Sequence, residues 1–186
     1  MLFNRGGRQV RCKVFVAATG DGAARYLAAL APRAPELGSA LRRLARRLGS
    51  AGALQRDGPM MVLPWKSGGL EGWDVELDLC APSPGAPRGW RFLGLKGADA
   101  VLVIAEATGA GSEMAALAET KAAAEELGYR WTDFPRSALC LGGATAAGLD
   151  GISSVAGDLA TGAGVVEALR PLEEALLATA RAHLLH

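Results

Sequence analysis

The sequence predicts an α/β domain: a mostly parallel, doubly wound sheet in three layers, with one antiparallel hairpin and helices on both faces. Three observations predict it. Short apolar runs at 10–16, 100–105 and 137–141 read as buried strands. Helix-like segments at 23–30, 112–127 and 165–184 alternate with them. Two early strand-like runs, 59–64 and 73–80, lie close together and read as a hairpin.

Each element has its own warrant. In the first run Val10, Cys12, Val14 and Val16 alternate with Arg11, Lys13 and Phe15, which gives at least one buried face. A glycine-bearing turn, Ala18 to Gly22, leads into a helix at 23–30 that Pro32 and Pro35 close. Residues 37–48 form an amphipathic pattern, with Leu37, Leu41, Leu44, Ala45 and Leu48 on one face and Arg42, Arg43, Arg46 and Arg47 opposite. Residues 49–58 read as loop. In the hairpin, Trp73, Val75, Leu77 and Leu79 face one way and Asp74, Glu76 and Asp78 the other. Residues 81–89, rich in Pro and Gly, read as irregular. The run AVLVIA at 100–105 has no polar side and suits a central parallel strand. Ser112 is placed to cap the next helix and Gly128 to end it. Residues 137–141 and 153–156 read as the last strands. The closing helix turns Val166, Leu169, Leu172, Leu176 and Leu177 inward, and Pro171 allows a kink within it.

The 186 residues fit one domain, 1–186, with a sizeable core. A net charge of +1 singles out neither nucleic acid nor a membrane surface. No apolar run reaches the roughly 18 residues of a membrane span, and the N-terminus lacks the apolar stretch of a signal peptide. Cys12, Cys80 and Cys140 are far apart, each in an apolar run, and read as buried free thiols of a cytoplasmic protein.

Strand, glycine turn and helix form the frame of a phosphate-binding loop, which needs glycines for backbone approach, Lys for phosphate charge and Ser/Thr for Mg²⁺. Counted against GxxxxGK[ST], the motif positions hold Ala18, Ala23, Ala24 and Arg25. Alanine replaces the lysine, and an arginine cation stands where the metal hydroxyl belongs. The frame is present without its chemistry.

The order of the pieces resembles the small Ras-like GTPases of bacteria, specifically the MglA gliding-motility family. The resemblance covers about residues 8–180. It rests on Cys12-Lys13-Val14, Leu63-Pro64, Gly72, Leu95 to Ala100 before VLVIAE, Gly128-Tyr129, Pro135, and Ala160 to Val165. It implies a Ras-like P-loop fold and a role in motility or cell polarity. It also implies a series of losses. The first switch falls near 55–61, with Asp57 nearest the metal-contacting threonine and no acidic residue at Met61. Pro84-Gly85-Ala86 places alanine where a glutamine would orient water. The base-reading Asn-Lys-x-Asp is replaced by Gly142, Gly143, Ala144 and Thr145.

The expectation is therefore a pseudo-GTPase that is not an enzyme and takes no nucleotide, metal or other cofactor. Its degenerate loop is Gly20, Asp21, Gly22, Ala24 and Arg25. Its partner is expected to be a Roadblock/LC7-type dimer or an MglA-like GTPase, as the resemblance implies. Candidate partner surfaces are Trp65, Trp73 and Trp90 beside the former switches, and the arginine face of 37–48, which also suits peripheral contact with anionic lipid. The alternative is a regulator that binds nucleotide weakly through Gly20, Gly22 and Arg25. An unrelated enzyme finds little support, since both histidines, His183 and His186, sit in the tail. Asp21 is the one carboxylate expected near the strand-end crevice, and a turn residue of that type more often serves local hydrogen bonds.

Overall fold

A computed structural model describes residues 2–4, 9–34, 55–57, 59–67, 70, 72–87, 89–107, 112–144 and 151–184 of the chain. Within them, strands β1 (Leu2–Asn4), β2 (Gln9–Ala18), β3 (Gln55–Asp57), β4 (Met60–Lys66), β5 (Asp74–Pro82), β6 (Ala100–Glu106), β7 (Arg136–Leu141) and β8 (Ser153–Gly157) join in one sheet. Its order is β3-β4-β5-β2-β6-β7-β8, with β1 paired to the start of β2. The strands from β5 to β8 run parallel, and β4 folds back antiparallel on β5 as the hairpin pattern predicts.

β2 is the hinge of the topology. It pairs with β5 along residues 9–15 and with β6 along residues 14–18. From β2 the chain first builds outward to one side, then crosses to the other through helix α2 (Gly89–Leu95). The carboxyl ends of β2 and β6 therefore flank the point where the winding reverses, which is where open α/β sheets form a crevice.

Pleating divides the core by face. Val10, Val14, Val16, Leu102, Ile104 and Leu139 pack with helices α1 (Gly22–Leu30) and α4 (Arg170–Leu184), through Tyr26, Leu27, Leu30, Leu172 and Leu176. Phe15, Val101, Val103, Ala138 and Cys140 pack on the opposite side with α2 and α3 (Ser112–Glu126), through Leu95, Leu117 and Ala124. Every residue from Ala100 to Ala105 is buried, which is why that run shows no alternation. Each fully buried leucine or valine contributes about 1.5–3 kcal/mol over its exposed state, so these two layers dominate the stability. The three cysteines are free and buried, as expected. Burial pushes the Cys12 thiol up to about 12 and the Cys80 thiol to about 11, so neither is a ready nucleophile.

Several boundaries differ from the sequence reading. The closing helix begins at Arg170, after a 3₁₀ turn at Glu167–Leu169. Pro171 thus lies in the first helical turn, where its missing N–H has no intrahelical partner to lose, and it does not have to kink the helix. β3 falls in the stretch 49–58 that reads as loop, and β1 and α2 carry no strong periodic signal. Strands and helices this short gain their structure from neighbours: β3 from its ladder with β4, β1 from β2. The amphipathic stretch 37–48, with Arg42, Arg43, Arg46 and Arg47, lies outside the described residues, as does Thr145.

Candidate functional site

The candidate site is the glycine turn at the carboxyl end of β2. Three residues, Thr19, Gly20 and Asp21, connect the strand to α1. The Gly22 amide donates to the Thr19 carbonyl at 3.1 Å and closes a tight turn. Gly20 stands at φ +55°, a left-handed conformation that a side chain disfavours. A Cβ at Gly20 would meet nothing within 4 Å, so backbone conformation rather than crowding selects glycine there.

Asp21 occupies the N-cap position of α1 but makes no side-chain cap bond. Its carboxylate instead accepts from Arg25 Nε at 3.0 Å, one helical turn on. The same guanidinium donates through its second arm to Glu106 Oε2 at 2.5 Å, at the end of β6. Arg25 therefore bridges the two strand ends at the crevice, held between two carboxylates. The Glu106 hydrogen bond leads the influences that raise its already high pKa, so it stays a cation. The guanidinium of Arg25 is thus paired within the chain, with a carboxylate on each arm. Ala24, where a phosphate-binding loop would carry lysine, adds no charge and rests partly buried against the first core layer.

Beside the glycine turn, at the carboxyl end of β2, lies a cavity of about 80 Å³, with Gly20, Ala23, Ser83, Ala86, Glu119 and Thr120 among its lining residues. Ligand pockets run to about 300–1,000 Å³, several times this size. Ala86 is half-buried in its wall, with its amide bonded to the Ser83 carbonyl at 3.0 Å. Ser83 in turn ties to the Pro59 carbonyl at 2.7 Å, so the segment after β5 is anchored to the start of β4. Thr120 donates to the Ala116 carbonyl at 2.6 Å within α3. At the end of β7, Gly142 and Gly143 form a turn closed by the Ala144 amide on the Leu141 carbonyl at 3.0 Å. The turn offers no polar side chain at those three positions. Among the described residues no group of three or more His, Cys, Asp and Glu side chains is placed to hold a metal.

The tryptophans separate. Trp65 is 6% exposed, and its indole N–H donates to Glu173 Oε1 at 3.1 Å on α4. It is a core residue that pins the hairpin to the closing helix, and the expectation of a partner-facing Trp65 is corrected. The cause is the strand period: Trp65 follows Met61 and Leu63 on the inward face of β4. Trp73 is half-buried at the start of β5, bridged to Leu70, and stays partly accessible. Trp90 lies in α2, and its side chain is outside what the structure describes. Asp57 lies in β3, likewise with an undescribed side chain.

Sequence reasoning missed Glu106. The i,i+4 spacing of Asp21 and Arg25 on a helix start is a legible signal for one arm of the bridge. The other arm spans 81 positions in sequence and arises only once β6 is placed beside β2. No protein-family model matches the chain, and no curated protein matches it significantly. Among the described residues no helix is long and apolar enough to cross a membrane.

Proposed function

We propose that the protein is a pseudo-GTPase: a degenerate Ras-like domain of the MglA type that neither binds nor hydrolyses nucleotide and works as a protein-binding scaffold or regulator in the cytoplasm. The observation that carries this reading is the state of Arg25, a cation in the first turn of α1 beside the glycine turn, which is held by Asp21 and Glu106. An incoming phosphate would have to displace two carboxylates while finding neither the loop lysine nor the metal hydroxyl. Charge-assisted bonds are worth about 1.5–3 kcal/mol each, so losing three or four of them costs on the order of four decades or more in affinity. The antiparallel β4–β5 pair beside the five parallel strands β5, β2, β6, β7 and β8 supports the Ras-like part of the reading.

The partner is proposed to be a Roadblock/LC7-type dimer or an MglA-like GTPase, a choice that rests on the sequence resemblance. Trp73 is the accessible aromatic beside the hairpin and the first position to test for contact. Two experiments test the proposal. Protein purified from the cell, denatured and chromatographed, should release no guanine nucleotide. Purified candidate partners should bind it directly, with affinity lowered by Trp73→Ala. A stoichiometric yield of GDP would overturn the first half, and failure of both partner classes to bind would overturn the second.

A further inference from the structure

We propose that a groove between the end of α3 and the start of β7 binds an acidic peptide segment of a partner protein, with Arg136 as the anchor for a carboxylate. The groove lies at the amino edge of the sheet, where the Gly97 amide, just ahead of β6, donates to the Tyr129 hydroxyl at 3.2 Å. It is thus at the other end of the strands from the glycine turn. The inference goes beyond the pseudo-GTPase reading and holds whatever that turn binds.

Arg136 is the first residue of β7, half-buried, with its guanidinium 5.5 Å from the centre of the Trp131 ring. Its Nε is buried without a hydrogen-bond partner, and among the described residues no carboxylate pairs with it. A guanidinium carries five donors in a planar fork, and a carboxylate takes two of them at once. Stacking on an indole shields one face of that fork and answers none of its donors. Trp131 is held in place by Phe134 at 6.2 Å, and Phe134 by Tyr129 at 5.5 Å. The same indole lines an open groove of about 450 Å³, together with Lys121, Glu125, Tyr129 and Arg130. That volume lies within the range of about 300–1,000 Å³ usual for ligand sites.

The charges select the occupant. Lys121, Arg130 and Arg136 stand against Glu125 and Asp133, so the balance favours an anion. Arg130 meets Asp133 at 3.6 Å, but both are well exposed, and such a pair exchanges partners at little cost. A nucleic acid or an anionic lipid surface calls for an unbroken run of cations, which Glu125 and Asp133 interrupt. Trp131 is 9% exposed, too covered to stack a base. An extended segment with spaced Asp or Glu side chains matches both the shape and the spacing of charge.

The test follows the fluorescence anisotropy of a dye-labelled, end-blocked peptide of alternating Gly and Glu, with a Gly-Gln peptide as control. It is titrated with the full chain and with Arg136→Gln, Arg136→Lys and Lys121→Gln. The wild type should bind the glutamate peptide about tenfold or more tightly than the control. R136Q should lose that preference, and R136K should recover little of it, because an ammonium has no planar fork. K121Q should weaken binding about two- to threefold. Nitrogen-15 NMR of the unmutated chain reads the anchor directly: the Arg136 Nε–H resonance should shift with the glutamate peptide and stay still with the control. Equal binding of the two peptides, a preference that survives R136Q, or an unmoved Arg136 resonance would overturn the proposal. Tighter binding of an oligouridylate or of phosphatidylserine vesicles would assign the groove to another class of ligand and overturn it as well.

Discussion

Two of the glycine-bearing turns at the carboxyl edge of the sheet, those after β2 and β8, use glycine for different reasons. At the turn after β2, Gly20 has open space around it and is chosen for its backbone conformation alone. In the loop after β8, glycine is chosen because backbone fills the space. A Cβ on Gly157 would meet the Leu139 side chain and sit 2.7 Å from the Ala163 carbonyl oxygen. One on Gly164, at φ +73°, would collide with the Ala156 carbonyl. That loop is further held by the Asp158–Ala163 bridge and by Arg33, which donates to the Thr161 carbonyl at 2.9 Å. The contrast teaches where the chain is committed. The β8 loop is part of the packed scaffold, while the turn after β2 stands in open space and is held by the Asp21–Arg25–Glu106 ion bridge.

Substitutions at the two turns should break the comparison apart. Gly164→Ala is expected to have the largest effect, about 3 kcal/mol or more, because a strained φ and a backbone collision act together. Gly20→Ala should cost only about 1–2 kcal/mol, the left-handed penalty without a clash. Urea denaturation of the pair measures both, and equal losses would show that the two turns are constrained alike. Arg25→Ala should cost no more than about 1 kcal/mol, since its ion pairs are half-exposed, and should leave the unfolding midpoint little changed.

A fourth prediction lies between the hairpin and α4, where Glu173 is 9% exposed beneath Trp65. Burial raises its carboxyl above the ordinary value, and the Trp65 hydrogen bond opposes that in part. A raised folded-state pKa means that the native chain binds the proton more tightly than the unfolded one. The associated stability is present below the ordinary value of 4.5 and is lost as pH rises through the folded-state value. Glu173→Gln keeps an acceptor for the indole and removes the ionisable group. It should stabilise the protein at pH 7 and flatten the fall in stability above pH 4.5. Stability profiles of the two proteins that stay parallel across that range would contradict the assignment.

How much of this was legible beforehand follows from the length scale of each signal. The 10–16 and 100–105 runs announce buried strands because apolar periodicity is local, and the hairpin follows from alternation in residues 73–80. β1, β3 and α2 span too few residues for any period to show, and their structure comes from partners. The expectation of a surface Trp65 came from the family resemblance, against its register with Met61 and Leu63 on the inward face of β4. That positions 24 and 25 hold neither lysine nor a hydroxyl could be read directly. What Arg25 does instead could not, since Glu106 is brought to it only by the pairing of β2 with β6.

The most direct test of the central claim is a titration of the purified protein with fluorescent GTP and GDP, with and without Mg²⁺. The account predicts no saturable binding up to millimolar nucleotide and no effect of the metal. Micromolar binding that requires Arg25 would show that the glycine turn still works as a phosphate loop, and would contradict it.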